Sequence, residues 1–185
     1  SYTAETGAMT ITNSGKLSAG AYTAKAGTMG ITNQGTIENG EYTAHGDLTY
    51  TDTAEASLKD GTLISEEGKA QVTAHGVLQI KKLSAKDSAT VEADQDVTLN
   101  EAEAGTLAIS SGGSVNAGTL TAKTGDAKVT AKKDVTIGTL NAKEHAELTS
   151  GGAMTLESAN AKSLTANAGT TLDATKIHTA GDAGL

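Results

Sequence analysis

The tripeptide Tyr-Thr-Ala stands at residues 2–4, 22–24 and 42–44, three times at a spacing of twenty. Self-similarity at a fixed period of this size is the signature of a solenoid, in which one short unit stacks on copies of itself. The period outlives the tyrosines. Aligned units place Tyr2, Tyr22, Tyr42, Leu63, Leu83, Ala102, Leu120, Leu140, Ala159 and Ile177 in one column, with gaps of 18 to 21 residues. Two residues further along, eight of the ten units carry alanine, and the exceptions, Ser65 and Thr179, are also small.

Two more columns lie inside each unit. One runs from Met9–Ile11 and Met29–Ile31 through Leu107–Ile109 to Leu164–Ala166. The other runs from Leu17–Ala19, Ile37–Asn39 and Ala56–Leu58 through Val135–Ile137 to Leu172–Ala174, and it places the polar Asn39 in an inward slot. Each pair is apolar-x-apolar with a polar residue between, the period-2 alternation of a strand with one buried face. Turn residues cluster between the columns, as in Thr12-Asn13-Ser14-Gly15 and Ser150-Gly151-Gly152. Three short strands and three turns per unit predict an all-β fold, a parallel β-helix (single-stranded β-solenoid) of about nine triangular coils of 18–21 residues. Coils ~4.8 Å apart give a rod roughly 43 Å long. Like residues then stack: Tyr2, Tyr22 and Tyr42 as an aromatic ladder, Asn13 and Asn33 as the start of an amide ladder, and the alanines as a narrow corner of the core.

Composition needs this periodicity to make sense. Leu, Ile and Val supply 30 of 185 residues and phenylalanine is absent, below the roughly 20% that marks disordered chains. A disordered chain has no reason to hold inward positions in register over so many units. The absence of proline fits strands paired on both edges, because proline removes a ladder hydrogen bond. No cysteine is present, so there are no disulfides and no thiolate chemistry. Fourteen lysines and no arginine face 22 acids, for a net charge of −8, which disfavours nucleic-acid partners and anionic membranes. No apolar run has the length of a membrane span, and residue 1 opens no signal peptide. Solenoid ends need polar caps, and none is legible: Tyr2 already holds an inward slot, and Ile177 opens a tenth coil that stops at Leu185. Residues 1–185 are therefore expected to be a single β-helix segment of a longer filament.

Parallel β-helices include carbohydrate-active enzymes, whose sites combine acids, cations and aromatic platforms. Arginine, tryptophan and phenylalanine are all absent here, and the tyrosine column points inward. The densest acidic cluster is Glu92, Asp94 and Asp96, with Glu101 and Glu103 nearby. Calcium wants six to eight oxygens, but the spacing matches neither an EF-hand loop nor a glycine-aspartate β-roll repeat, and a solvated acidic face is expected. His45 and His75 occupy different corners, and His145 and His178 share a column with neither. Gly112-Gly113 and Gly151-Gly152 lack the pattern of a phosphate loop. Thr10 with Thr12 and Thr49 with Thr51 form outward pairs of the kind ice-binding solenoids use, but the column breaks at Gly30 and mixes with Glu92, Lys128 and Glu147. No catalytic, cofactor or metal residue is expected, and the chain reads as a non-enzyme.

Segments such as Gly118-Thr119-Leu120-Thr121-Ala122, Asp134-Val135-Thr136-Ile137, Asp96-Val97-Thr98-Leu99 and Gly152-Ala153-Met154-Thr155-Leu156 resemble the repeats of filamentous haemagglutinin and its relatives. That family comprises two-partner-secretion exoproteins and the stalks of contact-dependent inhibition toxins, and the resemblance covers essentially the whole chain. It implies a right-handed β-helix, export through a dedicated outer-membrane transporter, and a secreted or bacterial cell-surface location. The function it implies is the structural stalk of an adhesin or exoprotein, a rigid rod presenting a distal adhesive or toxin region. Flanking coils of the same chain and a host or neighbouring-cell receptor are the further partners expected. The alternative is a receptor- or carbohydrate-binding face on the β-helix itself.

Overall fold

Alternating apolar and threonine residues give the chain flat faces to bury rather than helical ones. The computed structural model describes residues 1–184, and those residues form strands and turns only. Twenty strands make two parallel sheets of ten. The first sheet contains Tyr2–Ala4, Lys16–Ala24, Thr36–Ala44, Ser57–Ser65, Val77–Ala85, Val97–Ala104, Val115–Ala122, Val135–Ala142, Met154–Ala161 and Leu172–Thr179. The second contains Met9–Asn13, Met29–Asn33, Leu48–Asp52, Ala70–Ala74, Ser88–Ala93, Thr106–Ser111, Ala127–Ala131, His145–Ser150, Ser163–Ala168 and Ala183–Gly184. Each strand pairs with its equivalents in the neighbouring coils, which makes a β-solenoid of about ten turns where about nine were expected. Leu185, the end of the tenth coil in the sequence, lies outside the described residues.

The register reproduces the leading column of the sequence residue for residue. Tyr2 pairs with Tyr22, Tyr22 with Tyr42, Tyr42 with Leu63, Leu120 with Leu140 and Ala159 with Ile177. The three tyrosine rings stack at centroid spacings of 5.1 Å with planes 6° and 7° apart. Each such contact adds about 0.5–1.5 kcal/mol beyond area burial. The alanine column lines a corner of the core, and from Ala24 to Ala161 its members are buried. Equal residues stack on equal residues because a one-residue slip would turn every apolar side chain outward.

Two strands per coil are found where three were expected. In Val97–Ala104, Val97 and Leu99 point inward, Asn100 and Glu101 both point away from the core, and Ala102 and Ala104 point inward again. The two consecutive outward residues turn a corner, and pairing passes from Leu99–Ala117 directly to Glu101–Thr119. Three inward walls therefore remain, but two of them belong to one continuous strand.

The same corner is built differently in the first three coils. Ala19, Asn39 and Asp60 take left-handed backbone angles, φ 42°, 53° and 53°, and each is followed by glycine. Asn39 is exposed rather than inward, so the expectation for that side chain was wrong; Gly40 takes the buried slot instead. The glycine is required by the tyrosine ladder. A Cβ on Gly20 would lie 2.6 Å from Cε2 of Tyr22, and one on Gly40 2.5 Å from Cε2 of Tyr42. From the fourth coil on, where leucine or alanine stands in place of tyrosine, that slot accepts Ile80, Leu99, Ile137 or Leu156; in the third coil Gly61 still holds it, against Leu58. The core thus keeps its volume by trading a large residue on one wall against a small one on the next. The changeover comes in the third coil: Leu58, not Ala56, aligns with Ile37 and Leu78, and the pairing shifts around Gly61.

Candidate functional site

Corners decide what a solenoid can offer a ligand, because the walls between them are repetitive. Each corner must satisfy backbone N–H groups that no strand pairs, and aspartate does this repeatedly. Oδ1 of Asp47 accepts from the Lys69 N–H at 2.8 Å, that of Asp96 from Ser114 at 2.7 Å, that of Asp126 from His145 at 2.9 Å and that of Asp134 from Ala153 at 2.8 Å. Gly68, Gly113 and Gly152 sit against three of these carboxylates, and any Cβ there would run into them. Sequence reading saw turn residues at these points but not that aspartate in one coil and glycine in the next form one device.

This device disperses the acidic cluster. Asp96 caps the next coil, Asp94 Oδ2 lies 2.7 Å from His75 Nδ1, and Glu92 points outward in register between Thr73 and Ser110. Glu101 pairs with Lys82 at 3.3 Å, and Glu103 pairs with Lys123. Among the described residues no three His, Cys, Asp or Glu side chains converge as a metal site. The histidines are also spread out. His45 lies 3.6 Å from Glu66, His145 Nδ1 lies 2.9 Å from Ser163 Oγ, and His178 is in register with Asn160. The hydrogen bond with Asp94 holds the His75 imidazole above its ordinary range. The seven lysine–carboxylate ion pairs found among the described residues all join one coil to the next, for example Lys25–Glu5, Lys128–Glu147 and Lys162–Glu144. Exposed pairs of this kind contribute little individually, but together they fix charge along the axis.

The amide ladder runs further than the sequence showed. Asn13 Nδ2 donates to Asn33 Oδ1 at 2.9 Å, and Asn33 Nδ2 donates to the Tyr50 hydroxyl and the Ser57 carbonyl, each at 3.0 Å. The Tyr50 hydroxyl donates to Asp52 Oδ2 at 3.3 Å, and Asp52 Oδ1 accepts the His75 N–H at 2.6 Å. Asp52 is only 3% exposed. Burial pushes its carboxyl above the ordinary value, while the His75, Gly76 and Tyr50 donors oppose that shift. A folded pKa raised in this way gives stability that is complete below the ordinary carboxylate range and declines as pH rises through the shifted value. Tyr50→Phe removes one donor to the carboxylate and raises that pKa further. It is expected to lower stability by about 1 kcal/mol at neutral pH, and by less in acid where Asp52 is already protonated. Urea denaturation of both proteins across that range measures the difference, and an equal loss at every pH would exclude the coupling.

Two surface features stand out from the rest. On the second sheet Thr12, Thr32, Thr51 and Thr73 share one column, which Glu92 then interrupts. The hydroxyl column is longer than the paired threonines of the sequence implied. On the C-terminal third of the rod a groove of about 590 Å³ follows the alanine corner, with Lys123, Lys143 and Lys162 on one side and Asn141, Asn160 and His178 on the other. The asparagines and histidine are in register across successive coils. Sequence reading missed this groove because its two sides lie on opposite flanks of a corner. Comparison with protein families, curated proteins and solved structures finds no match to this chain.

Proposed function

We propose that the chain is the stalk of a secreted or surface-exposed bacterial adhesin or exoprotein of the filamentous haemagglutinin type. The observation that supports this reading most is the unbroken pairing of equivalent strands through both ten-stranded sheets. Such ladders resist bending, and coil-on-coil burial gives stability without one large core. The axial ion pairs and aspartate caps add contacts along the rod rather than around a pocket. The acids and histidines that could serve catalysis are distributed among separate corners, which favours a non-catalytic role. Its partner during export is an outer-membrane transporter, and flanking coils extend the rod.

Folding by addition of coils onto a finished template would help draw the chain outward. Val97→Asp, Val135→Asp and Leu156→Asp each place a carboxylate in a buried wall and are expected to slow export several-fold through the cognate transporter. Pulse-chase measurement of surface appearance tests this, and unchanged export would count against the reading. Release of reducing ends from any glycan would count against the non-catalytic role.

A further inference from the structure

We propose that Tyr2 and Tyr22 form an oxidative cross-linking site, at which hydrogen peroxide and a one-electron oxidation catalyst join the two rings as an intrachain dityrosine. This inference does not depend on the stalk reading. The two residues are in register, and their rings stack at a centroid spacing of 5.1 Å with planes 6° apart. The ring edges that flank the two hydroxyls therefore run side by side. Tyr2 is 64% exposed and lies in the outermost strand of its sheet, with a partner on one side only. Its phenol is open to an oxidant, and its ring has room to tilt one edge onto Tyr22. Tyr42 continues the stack but is 1% exposed, and a methyl group on Gly40 would already collide with its ring. Tyr50 is fully buried, and its hydroxyl is held by Asn33 and Asp52. Of the four tyrosines in the chain, Tyr2 and Tyr22 are the pair that combines contact with access.

The chemistry balances. Oxidation removes an electron and the hydroxyl proton from Tyr2 and leaves a phenoxyl radical. That radical passes to Tyr22 by electron exchange across the stack, with the Tyr22 hydroxyl proton returning to the Tyr2 oxygen. A second oxidation restores the radical on Tyr2. The two radicals then join through a carbon–carbon bond between ring positions ortho to the hydroxyls, and the hydrogens displaced there move to the oxygens as the rings regain aromaticity. Hydrogen peroxide takes up the two electrons and two protons and becomes two waters. The bond ties the first coil to the second, where Met9, Ile11 and Leu17 are only partly buried and fraying begins. In a chain without cysteine, it does the work of a disulfide by restricting the unfolded chain.

The experiment treats the protein with hydrogen peroxide and a haem peroxidase at low protein concentration and follows dityrosine fluorescence. Trypsin cuts after Lys16 and Lys25. The expected product is therefore peptide 1–16 joined to peptide 17–25, two hydrogen atoms lighter than their sum. Tyr2→Phe keeps an aromatic ring in the stack and is expected to abolish the product, whereas Tyr42→Phe is expected to leave its yield unchanged. Concentrated urea, which dissolves the stack, is expected to lower the yield several-fold. The proposal is overturned by absence of the product, by dityrosine formed only between chains, by persistence of the product in Tyr2→Phe, or by an equal yield in urea.

Discussion

Leu140→Asp is expected to split the unfolding of this protein into two transitions and to destabilise the coils around it by more than about 4 kcal/mol. Leu140 is fully buried and stacks between Leu120 and Ala159 in the leading column. The substitution removes the contacts of a core leucine and places a carboxyl where no donor waits. In a globular domain the whole core would share that penalty. In a solenoid each coil contacts chiefly its neighbours, so stability is a sum of coil terms and nearest-neighbour interfaces. The seven coils before residue 140 retain one another. The coils after it are few, and their last members, Leu172, Ala174 and Ile177, are only partly buried.

The C-terminal coils should therefore melt first and the N-terminal ones later. Circular dichroism during heating would show the two steps, and limited proteolysis would leave a resistant fragment starting at Ser1 and ending near the substitution. Thr139→Asp, at a neighbouring position on the outer side of the same strand, should cost less than about 0.5 kcal/mol. A single transition in Leu140→Asp with a loss under about 1 kcal/mol would mean that the columns do not carry the fold.

The columns themselves were legible because side-chain periodicity reports burial directly. Tyr22 over Tyr42, Met9 over Met29 and Leu120 over Leu140 all follow from it. What the sequence hid was backbone behaviour. Hydrogen bonding does not depend on which way Asn100 and Glu101 point, so a corner inside one strand looked like a break between two. Asn39 looked inward because it occupies the alternating slot; the left-handed angle that lets Gly40 replace it leaves no mark on hydrophobicity. Polar contacts across coils were harder still. Tyr50 stands in the inward column between Ile31 and Val72, where an apolar residue is expected, and nothing local showed that its hydroxyl joins Asn33 to Asp52. The groove was hidden for the same reason, since Asn141 and Lys143 face it from different sides of a buried alanine.

Asn33→Ala should be the most damaging polar substitution, at about 3 kcal/mol. The Asn33 side chain is fully buried, and its carboxamide uses all four of its bonding positions. Nδ2 donates to Tyr50 and to the Ser57 carbonyl, while Oδ1 accepts from Asn13 and from the Gly35 N–H at 3.2 Å. Alanine leaves the Ser57 carbonyl and the Gly35 N–H short of a partner inside a thin core. It also breaks the only link in this network between Asn13 and the Tyr50–Asp52 pair. Asn13→Ala at the exposed end of the ladder should cost much less alone. Because the two carboxamides share a bond, the double variant should cost less than the sum of the single variants by about 1 kcal/mol. Urea denaturation of the four proteins gives that coupling energy. Strict additivity would show that stacked amides here are neighbours in space without being partners in stability, and that the apolar columns alone hold the N-terminal coils in register.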